Sequence, residues 1–591
     1  MKETKISRRD FLKGTVAGAA AFALTATGTP VFAEEAEKNK KENPTEDATA
    51  PIPPVEAPEQ WDKTADIVIV GTGGGGVTAA QRLSEGGNRV ILIEREGVFG
   101  GMSRYGVFWF NNGGTEIAEQ LQWAFPDYPY DPHKIVEYYN DQYKMTGNTK
   151  LLAKLAETGP RVIEWAEKEM GAAFMPSPLH GALPSAAHLL FFNTSAKPEA
   201  AESGTGVGYD WLMGQILKSA QDHGTELLTS TEVTALVMSE GRVSGVKVRD
   251  KEGQEAFIKG EKAVLLTAGG FGNNRHMLKK YCPSVADAMV AHGGWSGGTG
   301  DCIRMGIGAG ADIAGRDSVH CYDRGVLPRD YSDEDVQFDS WFEHDSLVGG
   351  QPWLLLNRCG ERVPYFNIMH TNYPYSNQGY YMNGLGDRVN PLAVQPGGKT
   401  FAIFDSKYRE VLSTDAFGVR PAPGYVFDDF FRPVAVEDLA DQLEKRRVES
   451  GSIKKADTIE ELEEQLGFAP GLLVEAVQKW NSACEAGEDS EKFYPYEPQW
   501  LIPLDSPPYY GATVGITSYD TCCGLRVNAD MQVISTEGTP IPGLYAGFHT
   551  AGGESGESVL NGLPFGSMYG SNLLSYVGGW MAADGISANE S

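Results

Sequence analysis

Short apolar runs alternate with amphipathic segments along the chain, a pattern typical of α/β proteins. The run from Asp66 to Val70 predicts a buried strand, and Val77 to Glu85 has apolar residues at helical spacing. A second strand is predicted from Arg89 to Ile93. Farther along, two strand-like runs flank Glu240 and Gly241, which predicts a hairpin turn there. The order strand, helix, strand predicts a Rossmann-like α/β unit.

A pair of helices is predicted in the later segment TIEELEEQLGFAPGLLVEAVQKWNSACEAG. Thr458 and Glu461 have the spacing of a capping box, which marks the start of the first helix. Gly467 is placed to end that helix, and Ala469 with Pro470 to begin the second. This part of the chain is therefore predicted to form two consecutive helices.

The turn between the first strand and its helix carries a glycine motif. Gly71, Gly73 and Gly76 form Gly-x-Gly-x-x-Gly, and Gly74 lies inside it. Glycines let the chain turn tightly and let the helix N-terminus approach a pyrophosphate. Glu94 follows the second strand and is placed to accept hydrogen bonds from ribose hydroxyls. The complete unit predicts dinucleotide binding.

Composition narrows the class of protein. A chain of 591 residues is longer than one hydrophobic core usually organises, so two or more domains are expected. A formal charge of −29 argues against nucleic acid as a partner. The seven cysteines are an odd number without Cys-x-x-Cys spacing, which argues against a disulfide framework, a zinc site and a c-type haem. The adjacent Cys522 and Cys523 are interpreted as buried small residues, with a redox role left open.

The N-terminus has the features of an export signal. Arg8 and Arg9 precede Phe11, and an alanine-rich apolar stretch ends at Ala33. This pattern predicts a twin-arginine signal peptide over residues 1–33, a route that carries folded, cofactor-loaded proteins. Residues 34–60 are charged and proline-rich, which predicts a flexible linker. No later apolar run reaches the roughly 18 residues that span a bilayer, so we expect a soluble protein in the periplasm or cell envelope.

Several further motifs occur in a recognisable order. They are GVFGGMSRYG, KAVLLTAGGFGNN, GGTGDCIRMGIGAGADI, NRCGERV, PPYYGATVG and GLYAGFHTAGG. Together with the glycine turn, they resemble the FAD-dependent fumarate reductase and succinate dehydrogenase flavoprotein family and its 3-ketosteroid dehydrogenase relatives. The resemblance covers residues 61 to about 583. It implies FAD contacts at a set of positions along the chain: Gly71, Gly73, Gly74, Gly76, Glu94, Gly100, Gly101, Ala268, Gly269, Asp301 and Gly547.

The same resemblance implies the domain organisation. A Rossmann-like FAD-binding domain would comprise residues 61–295 and 511–585, and an inserted α+β capping domain residues 296–510. The substrate would lie between them. Gly306, Gly308 and Gly310 have the spacing of a glycine turn, but no apolar strand precedes them. An NAD(P)H site of its own is therefore not expected, and electrons would come from a separate donor protein, either a membrane-attached cytochrome or a quinol-linked one.

The family chemistry moves a hydride between flavin N5 and a C–C bond beside a carbonyl, while a protein group handles the proton. Fumarate reductases grip two carboxylates with histidine and arginine. At the matching places this chain has tyrosine or acid instead, and Val559 or its neighbours stand where one of the arginines would be. Pro374 with Tyr375 resembles the proton-handling pair of 3-ketosteroid dehydrogenases. The tyrosine that holds the ketone in those enzymes is matched by Leu563. The candidate catalytic residues are therefore Tyr375, Tyr373, Tyr322, Tyr519 and Asp520.

These features predict an exported FAD-dependent oxidoreductase that acts on CH–CH groups. The leading hypothesis is reduction of the C=C bond of an α,β-unsaturated, partly hydrophobic or aromatic substrate, with protonation by a tyrosine. The alternative is a 3-ketosteroid-type dehydrogenase that runs the reverse chemistry. A fumarate reductase is disfavoured because two carboxylates need paired cations. A flavin electron-transfer protein without its own substrate is the remaining alternative.

Overall fold

The computed structural model describes most of the chain after the predicted signal. The described residues are 48–106, 108–124, 127–142, 145–176, 188–202, 208–286, 289–292, 297–326, 353–363, 395–413, 425–427, 433–449, 451–488, 501–556 and 568–590. Among these residues, no helix combines the length and the apolar character that a membrane crossing requires.

The strands are numbered in chain order. They are β1 Val55–Glu56, β2 Lys63–Val70, β3 Val90–Ile93, β4 Phe108–Asn111, β5 Phe174–Pro176, β6 His188–Phe192, β7 Glu226–Leu228, β8 Thr231–Ser239, β9 Arg242–Asp250, β10 Glu255–Leu266, β11 Met289–His292, β12 Ile313–Ala314, β13 Val319–Val326, β14 Leu354–Asn357, β15 Thr400–Asp405, β16 Tyr425–Phe427, β17 Pro433–Ala435, β18 Ile453–Ala456, β19 Tyr509–Thr521, β20 Gly524–Arg526, β21 Gln532–Ile534, β22 Pro540–Ala546 and β23 Ala551–Gly552.

The α-helices are numbered in the same way. They are α1 Gly74–Glu85, α2 Glu116–Leu121, α3 Pro132–Gln142, α4 Thr149–Lys168, α5 Pro198–Ala201, α6 Tyr209–Asp222, α7 Arg275–Tyr281, α8 Pro283–Ala286, α9 Asp301–Gly308, α10 Tyr408–Ser413, α11 Val436–Gln442, α12 Ile459–Leu466, α13 Leu472–Ala486 and α14 Gly570–Asn589. Two 3₁₀ helices, Gly101–Tyr105 and Pro396–Gly398, and a π-helix, Leu443–Val448, complete the helical segments among the described residues.

The largest sheet has the predicted α/β character. Its strand order is β1-β8-β9-β10-β2-β3-β7, and β22 pairs with β10 while β21 pairs with β22. Strands β2, β3, β7, β10 and β22 run parallel to their neighbours within this group. The β8–β9 hairpin turns at Glu240 and Gly241, which both have positive φ. The predicted hairpin is thus confirmed, and its turn has the left-handed geometry that two-residue hairpins favour.

A second sheet is organised around the long strand β19. Strands β11, β13, β15 and β18 all pair with β19, and β14 pairs with β15. Helices α12 and α13 lie near this sheet, and their side chains share a hydrophobic cluster with it that includes Phe401, Leu462 and Trp480. The predicted capping box is present, because Thr458 Oγ1 accepts from Glu461 N and the Glu461 carboxylate accepts from Thr458 N. Gly467 ends α12 in the left-handed conformation, as predicted.

The second helix of this pair begins later than the sequence predicts, at Leu472 rather than at Pro470. The buried Glu463 carboxylate explains the difference. It accepts hydrogen bonds from the backbone N–H groups of Gly471, Leu473 and Val474. An acid from the preceding helix therefore caps α13 and stabilises the positive end of its dipole.

Two hydrophobic clusters form the core of the described chain. The first contains residues from 65 to 319 and from 523 to 586, and the second contains residues from 353 to 514. Residues 302–319, which the sequence analysis assigned to the capping domain, contribute Ile303, Ile313 and Val319 to the first cluster. The exact division of the chain into domains stays a prediction.

The end of the predicted flexible linker differs from expectation. Within residues 48–60, Ile52 N donates to Arg304 O at 3.0 Å, and Arg304 Nε donates to Ala50 O at 2.7 Å. Strand β1 extends the main sheet by pairing with β8. A Cβ at Gly308 would lie 1.9 Å from Ile52 O. Gly308 on α9 therefore leaves room for this segment, and backbone hydrogen bonds hold the segment in place.

Glu167, on α4, gives the fold a pH-dependent contribution. Burial, together with repulsion from Glu164 and Glu116, raises the pKa of Glu167 from 4.5 to about 7. The folded protein therefore holds a proton that the unfolded chain releases, so the free energy of unfolding should fall as pH rises through this window.

We expect Glu167→Gln to flatten the loss of stability between about pH 4.5 and 7. Urea unfolding followed by circular dichroism at several pH values measures this slope. The exposed neighbour Glu169→Gln is the matched control and should keep the parent slope. If Glu167→Gln and the parent have the same slope, Glu167 is ionised in the folded state.

Candidate functional site

The carboxyl ends of four parallel strands meet at one edge of the main sheet. In the strand register, Ile93 pairs with Val70, Val70 with Leu266, and Leu266 with Ala546. These residues end β3, β2, β10 and β22. A turn follows each of these four strands at the same edge of the sheet. Ligands bind at this edge in open parallel sheets. The register therefore brings together turns that are more than 470 residues apart in the chain, after Val70 and after Ala546.

Two glycines in the first turn are required by close backbone contacts. Gly71 has a φ of +99°, and a Cβ there would lie 2.6 Å from Thr267 O. A Cβ on Gly76 would lie 1.9 Å from Gly71 O. Any larger residue would push helix α1 away from β2 and β10. These contacts explain why the motif needs glycine at both positions.

The N-terminus of α1 has the chemistry of a diphosphate cradle. Its N-cap, Gly73, has no side chain to cap the helix, and the first turn contains no acid. Gly74 N donates to Ser103 Oγ at 2.9 Å. A Cβ on Gly73 would meet its nearest described neighbour, Ser103 Oγ, only at 3.7 Å. The helix end is thus positive and uncrowded, which fits the pyrophosphate of FAD.

Glu94 is held in place at the end of β3. Its carboxylate accepts from Thr72 N at 3.1 Å, from the Thr72 hydroxyl, and from Glu96 N at 3.0 Å. Thr72 Oγ1 in turn accepts from Gly100 N at 2.9 Å. Gly100 has a φ of +112°, and Gly101 starts the short 3₁₀ helix. The carboxylate retains lone pairs for ribose hydroxyls, so its geometry fits the predicted role.

Asp301 lies close to this group at the start of α9. Its carboxylate accepts from Thr299 Oγ1 at 2.7 Å and pairs with Arg95 and Arg304, each at 3.4 Å. Arg95 follows Glu94 directly in the chain. Asp301 therefore orients a cation beside the predicted ribose site, and a direct contact between Asp301 and FAD stays a prediction.

The turns after β10 and β22 are joined to each other. Gly547 N donates to Leu266 O at 2.9 Å, and Thr550 Oγ1 donates to Gly269 O at 3.0 Å. Gly269 has a φ of +78°. The turn that contains Ala268 and Gly269 thus lies beside the turn that contains Gly547. Contacts of these residues with FAD stay a prediction.

The candidate catalytic residues are only partly described. Tyr373 and Tyr375 lie outside the described residues. Tyr322 and Tyr519 lie on the paired strands β13 and β19, where Tyr322 is opposite Thr517 and Tyr519 falls at an irregularity of the ladder. The backbone thus brings these two tyrosine positions together with Asp520, and their catalytic roles stay predictions.

Asp520 belongs to a buried polar group that the sequence analysis did not find. Its Oδ2 lies 4.0 Å from His549 Nε2, and its Oδ1 accepts from Gly270 N at 3.1 Å. Burial raises the pKa of Asp520, and His549 opposes this effect. Glu554 is also buried, and burial likewise raises its pKa against the opposing effect of His549. The available signal was the occurrence of His549 and Glu554 in a glycine-rich turn directly after an apolar strand.

Comparison with known proteins identifies a family. The family described as FAD binding domain matches residues 66–556, and the twin-arginine translocation signal sequence matches residues 5–25. The second match confirms the predicted export signal, so the chain is exported by the twin-arginine route.

Two curated relatives have related enzymatic names. The vinyl phenol reductase of Lactiplantibacillus plantarum is 25% identical over 506 residues, covering 84% of this chain and 92% of the relative. The urocanate reductase of Eggerthella lenta is 26% identical over 531 residues, covering 88% of this chain and 76% of the relative.

Solved structures confirm the fold. The 3-ketosteroid Δ1-dehydrogenase of Sterolibacterium denitrificans matches with a TM-score of 0.61 and 18% identity, covering 89% of this chain and 100% of that one. A flavocytochrome c3 fumarate reductase in its open conformation matches with a TM-score of 0.59 and 19% identity, covering 89% and 79%. The predicted α/β flavoprotein architecture is thus confirmed.

We expect Gly73→Ala to lose bound FAD while the protein remains folded. The added methyl group has space in the protein, but it lies where the diphosphate must approach the helix N-terminus. The ratio of flavin to protein absorbance after purification measures retention, and circular dichroism checks folding. Gly214→Ala is the control, because Gly214 lies within α6 and a Cβ there meets no described atom within 4 Å. Full flavin content in Gly73→Ala would contradict this placement of the diphosphate.

Proposed function

The chain belongs to the FAD binding domain family and is an exported FAD-dependent oxidoreductase of the CH–CH-acting kind. From this premise we propose that it reduces the C=C bond of an α,β-unsaturated, partly hydrophobic or aromatic substrate. The names of the vinyl phenol and urocanate reductases support this proposal, because both denote C=C reduction beside an unsaturated ring.

The proposed substrate class is supported mainly by one observation, the acidic residue Asp520 on β19. The resemblance to fumarate reductases places a histidine at this part of β19, where a cation grips a carboxylate. Here the position holds an acid, Asp520, whose side chain is only 15% exposed and accepts a hydrogen bond from Gly270 N. An acid repels a carboxylate when ionised and offers it no charge when protonated. The pocket therefore favours a substrate with less negative charge than fumarate.

When bound, FAD supplies the hydride from N5. The glycine turn at the N-terminus of α1 would hold its diphosphate, and Glu94 would accept hydrogen bonds from its ribose. The proton then comes from this chain. A phenol donates to a developing enolate without leaving a fixed charge in the pocket, which makes Tyr375 the proposed donor. Tyr373, Tyr322, Tyr519 and Asp520 are the other proposed groups around the reacting bond.

A separate electron donor is part of the proposal. The sequence contains one strand–Gly-x-Gly-x-x-Gly–helix unit, and the glycines of α9 have packing roles, because Gly306 lies against Leu525 and Gly308 against Ile52. Reducing equivalents would thus come from a membrane-attached cytochrome or a quinol-linked protein rather than from a bound nicotinamide.

The second candidate function is dehydrogenation of a 3-ketosteroid-like ring, the same chemistry in reverse. The Pro374-Tyr375 pair and the shared fold favour it. Leu563 disfavours it, because this residue cannot donate to a ketone as the matching tyrosine does in those enzymes.

Reoxidation of the reduced flavin separates these functions. The purified holoenzyme is reduced anaerobically and mixed with a vinyl phenol, a cinnamate, urocanate, an enone steroid, fumarate or buffer while flavin absorbance is followed. We expect rapid reoxidation by a vinyl phenol, a cinnamate or urocanate. Reoxidation by fumarate alone would overturn the proposed substrate class. Bleaching of the oxidised enzyme by a saturated 3-ketosteroid would favour the dehydrogenase.

We expect Tyr375→Phe to slow reoxidation by the best substrate by about 10²-fold or more, as loss of a general acid does. Bound FAD should be retained, because only one hydroxyl is removed. Tyr128→Phe is the control, since the exposed Tyr128 hydroxyl donates only to Glu119. An unchanged rate in Tyr375→Phe would remove this residue from the mechanism.

A further inference from the structure

The segment that precedes strand β1, residues 48–53 and here called the strap, is held against helix α9. Arg304 Nε donates to Ala50 O at 2.7 Å, and Ile52 N donates to Arg304 O at 3.0 Å. The Ile52 side chain is partly buried and packs against the first hydrophobic cluster. The strap is therefore docked through its backbone and through an apolar side chain.

One side-chain amide joins the strap to the loop that leads into α9. Asn274 Nδ2 donates to Ala48 O in the strap and to Thr299 O in the loop, each at 3.0 Å. Asn274 Oδ1 accepts from Met277 N and thereby caps helix α7. Asn274 is only 8% exposed. This amide therefore fixes the strap, the loop and α7 relative to one another.

The same loop continues to the predicted ribose site. Asp301 Oδ2 accepts from Thr299 Oγ1 at 2.7 Å and lies 3.4 Å from Arg95 Nη1. Asp301 Oδ1 lies 3.4 Å from Arg304 Nη1. Arg95 directly follows Glu94, the residue placed to accept hydrogen bonds from the ribose. Two ion pairs of Asp301 thus connect Arg304, which holds the strap, with the chain at Glu94.

Helix α9 leaves room for the strap at Gly308. A Cβ on Gly308 would lie 1.9 Å from Ile52 O, and its three nearest atoms would all belong to Ile52 and Pro53. Alanine is a better helix former than glycine, so it would favour α9 itself. A methyl group at this position would therefore act on the strap and not on the cofactor turns.

We propose that the strap is part of the FAD site, because it holds residues 297–301 against the ribose side of the cofactor and is itself held there by bound FAD. Arg304 and Asn274 are the positioning residues, since each contacts both the strap and this loop or Asp301. Coupling of this kind is reciprocal in free energy, so docking of the strap strengthens FAD binding as much as FAD strengthens docking. The inference requires FAD and is independent of which substrate the enzyme reduces.

Hydrogen–deuterium exchange measures docking of the strap in the parent protein. Exchange of residues 48–56 is compared between the holoprotein and the protein from which FAD has been removed. We expect faster exchange without FAD, including at the Ile52 amide that donates to Arg304 O. Residues 246–250 of β9 are the internal control, because they pair with the start of β10, at the opposite end from the cofactor turns. Equal exchange of the strap in both forms, or a rise no larger than that of the control, would overturn the proposal.

Gly308→Ala tests the coupling in the other direction. We expect the variant to bind FAD about 10-fold more weakly than the parent, a factor typical of coupled sites. Titration of the apoprotein with FAD, followed by flavin fluorescence, measures the affinity, and circular dichroism checks folding. Gly214→Ala is the matched control, since a Cβ there meets no described atom within 4 Å. Parent affinity in Gly308→Ala would contradict the coupling.

Asn274→Asp tests the positioning role with a second, isosteric variant. Aspartate keeps the oxygen that caps α7 but presents an oxygen instead of N–H groups to Ala48 O and Thr299 O. We expect FAD binding to weaken by about 10-fold and the strap of the holoprotein to exchange faster. Asn148→Asp is the control, because Asn148 likewise caps a helix, α4, by accepting from Leu151 N. Lower thermal stability with parent FAD affinity would show that Asn274 is only structural and would overturn its assignment.

Discussion

The register of four parallel strands is the constraint on which the rest of this structure depends. Because β3, β2, β10 and β22 end side by side, their turns begin in one row at the sheet edge. Backbone hydrogen bonds continue across that row, from Gly71 N to Ile93 O and from Gly547 N to Leu266 O. A shift of one strand would break these bonds and separate the groups that are placed to hold the cofactor.

Close packing behind the row is what makes the glycines necessary. Helix α1 approaches the turn so closely that a methyl group on Gly76 would overlap Gly71 O. This proximity places the positive end of the helix, whose N-cap Gly73 is half-buried, beside a fixed acid, Glu94. The same geometry therefore accounts for both the stability of the sheet–helix contact and the chemistry offered to a diphosphate.

Strand β19 connects the two hydrophobic clusters to this site. Near its start, Tyr510 stacks on Phe404 in the second cluster, at a centroid distance of 5.2 Å. At its end, Asp520 accepts from Gly270 N in the turn after β10. One continuous strand thus extends from the second hydrophobic cluster to the pair formed by Asp520 and His549. Burial at that end raises the pKa of Asp520, because a carboxyl group removed from water retains its proton more strongly.

The sequence by itself determined the local elements and the cofactor class. The glycine turn, Glu94, the Glu240–Gly241 hairpin and the capping box at Thr458 are short-range patterns, whose physical causes lie within a few residues of one another. The start of α13 was misplaced because its cap comes from Glu463, a side chain of the preceding helix. The order of residues 48–60 was missed because it comes from backbone contacts with α9 and β8.

Only the tertiary structure decided what surrounds Asp520. In the chain, Asp520 and Gly270 are 250 residues apart, and their hydrogen bond depends on how β10 and β19 meet. His549 and Glu554 were overlooked because neither belongs to a local motif. Both are buried, His549 lies 4.0 Å from Asp520, and its charge also acts on Glu554. Sequence specifies which groups are available, whereas their protonation depends on how fully the folded chain excludes water from them.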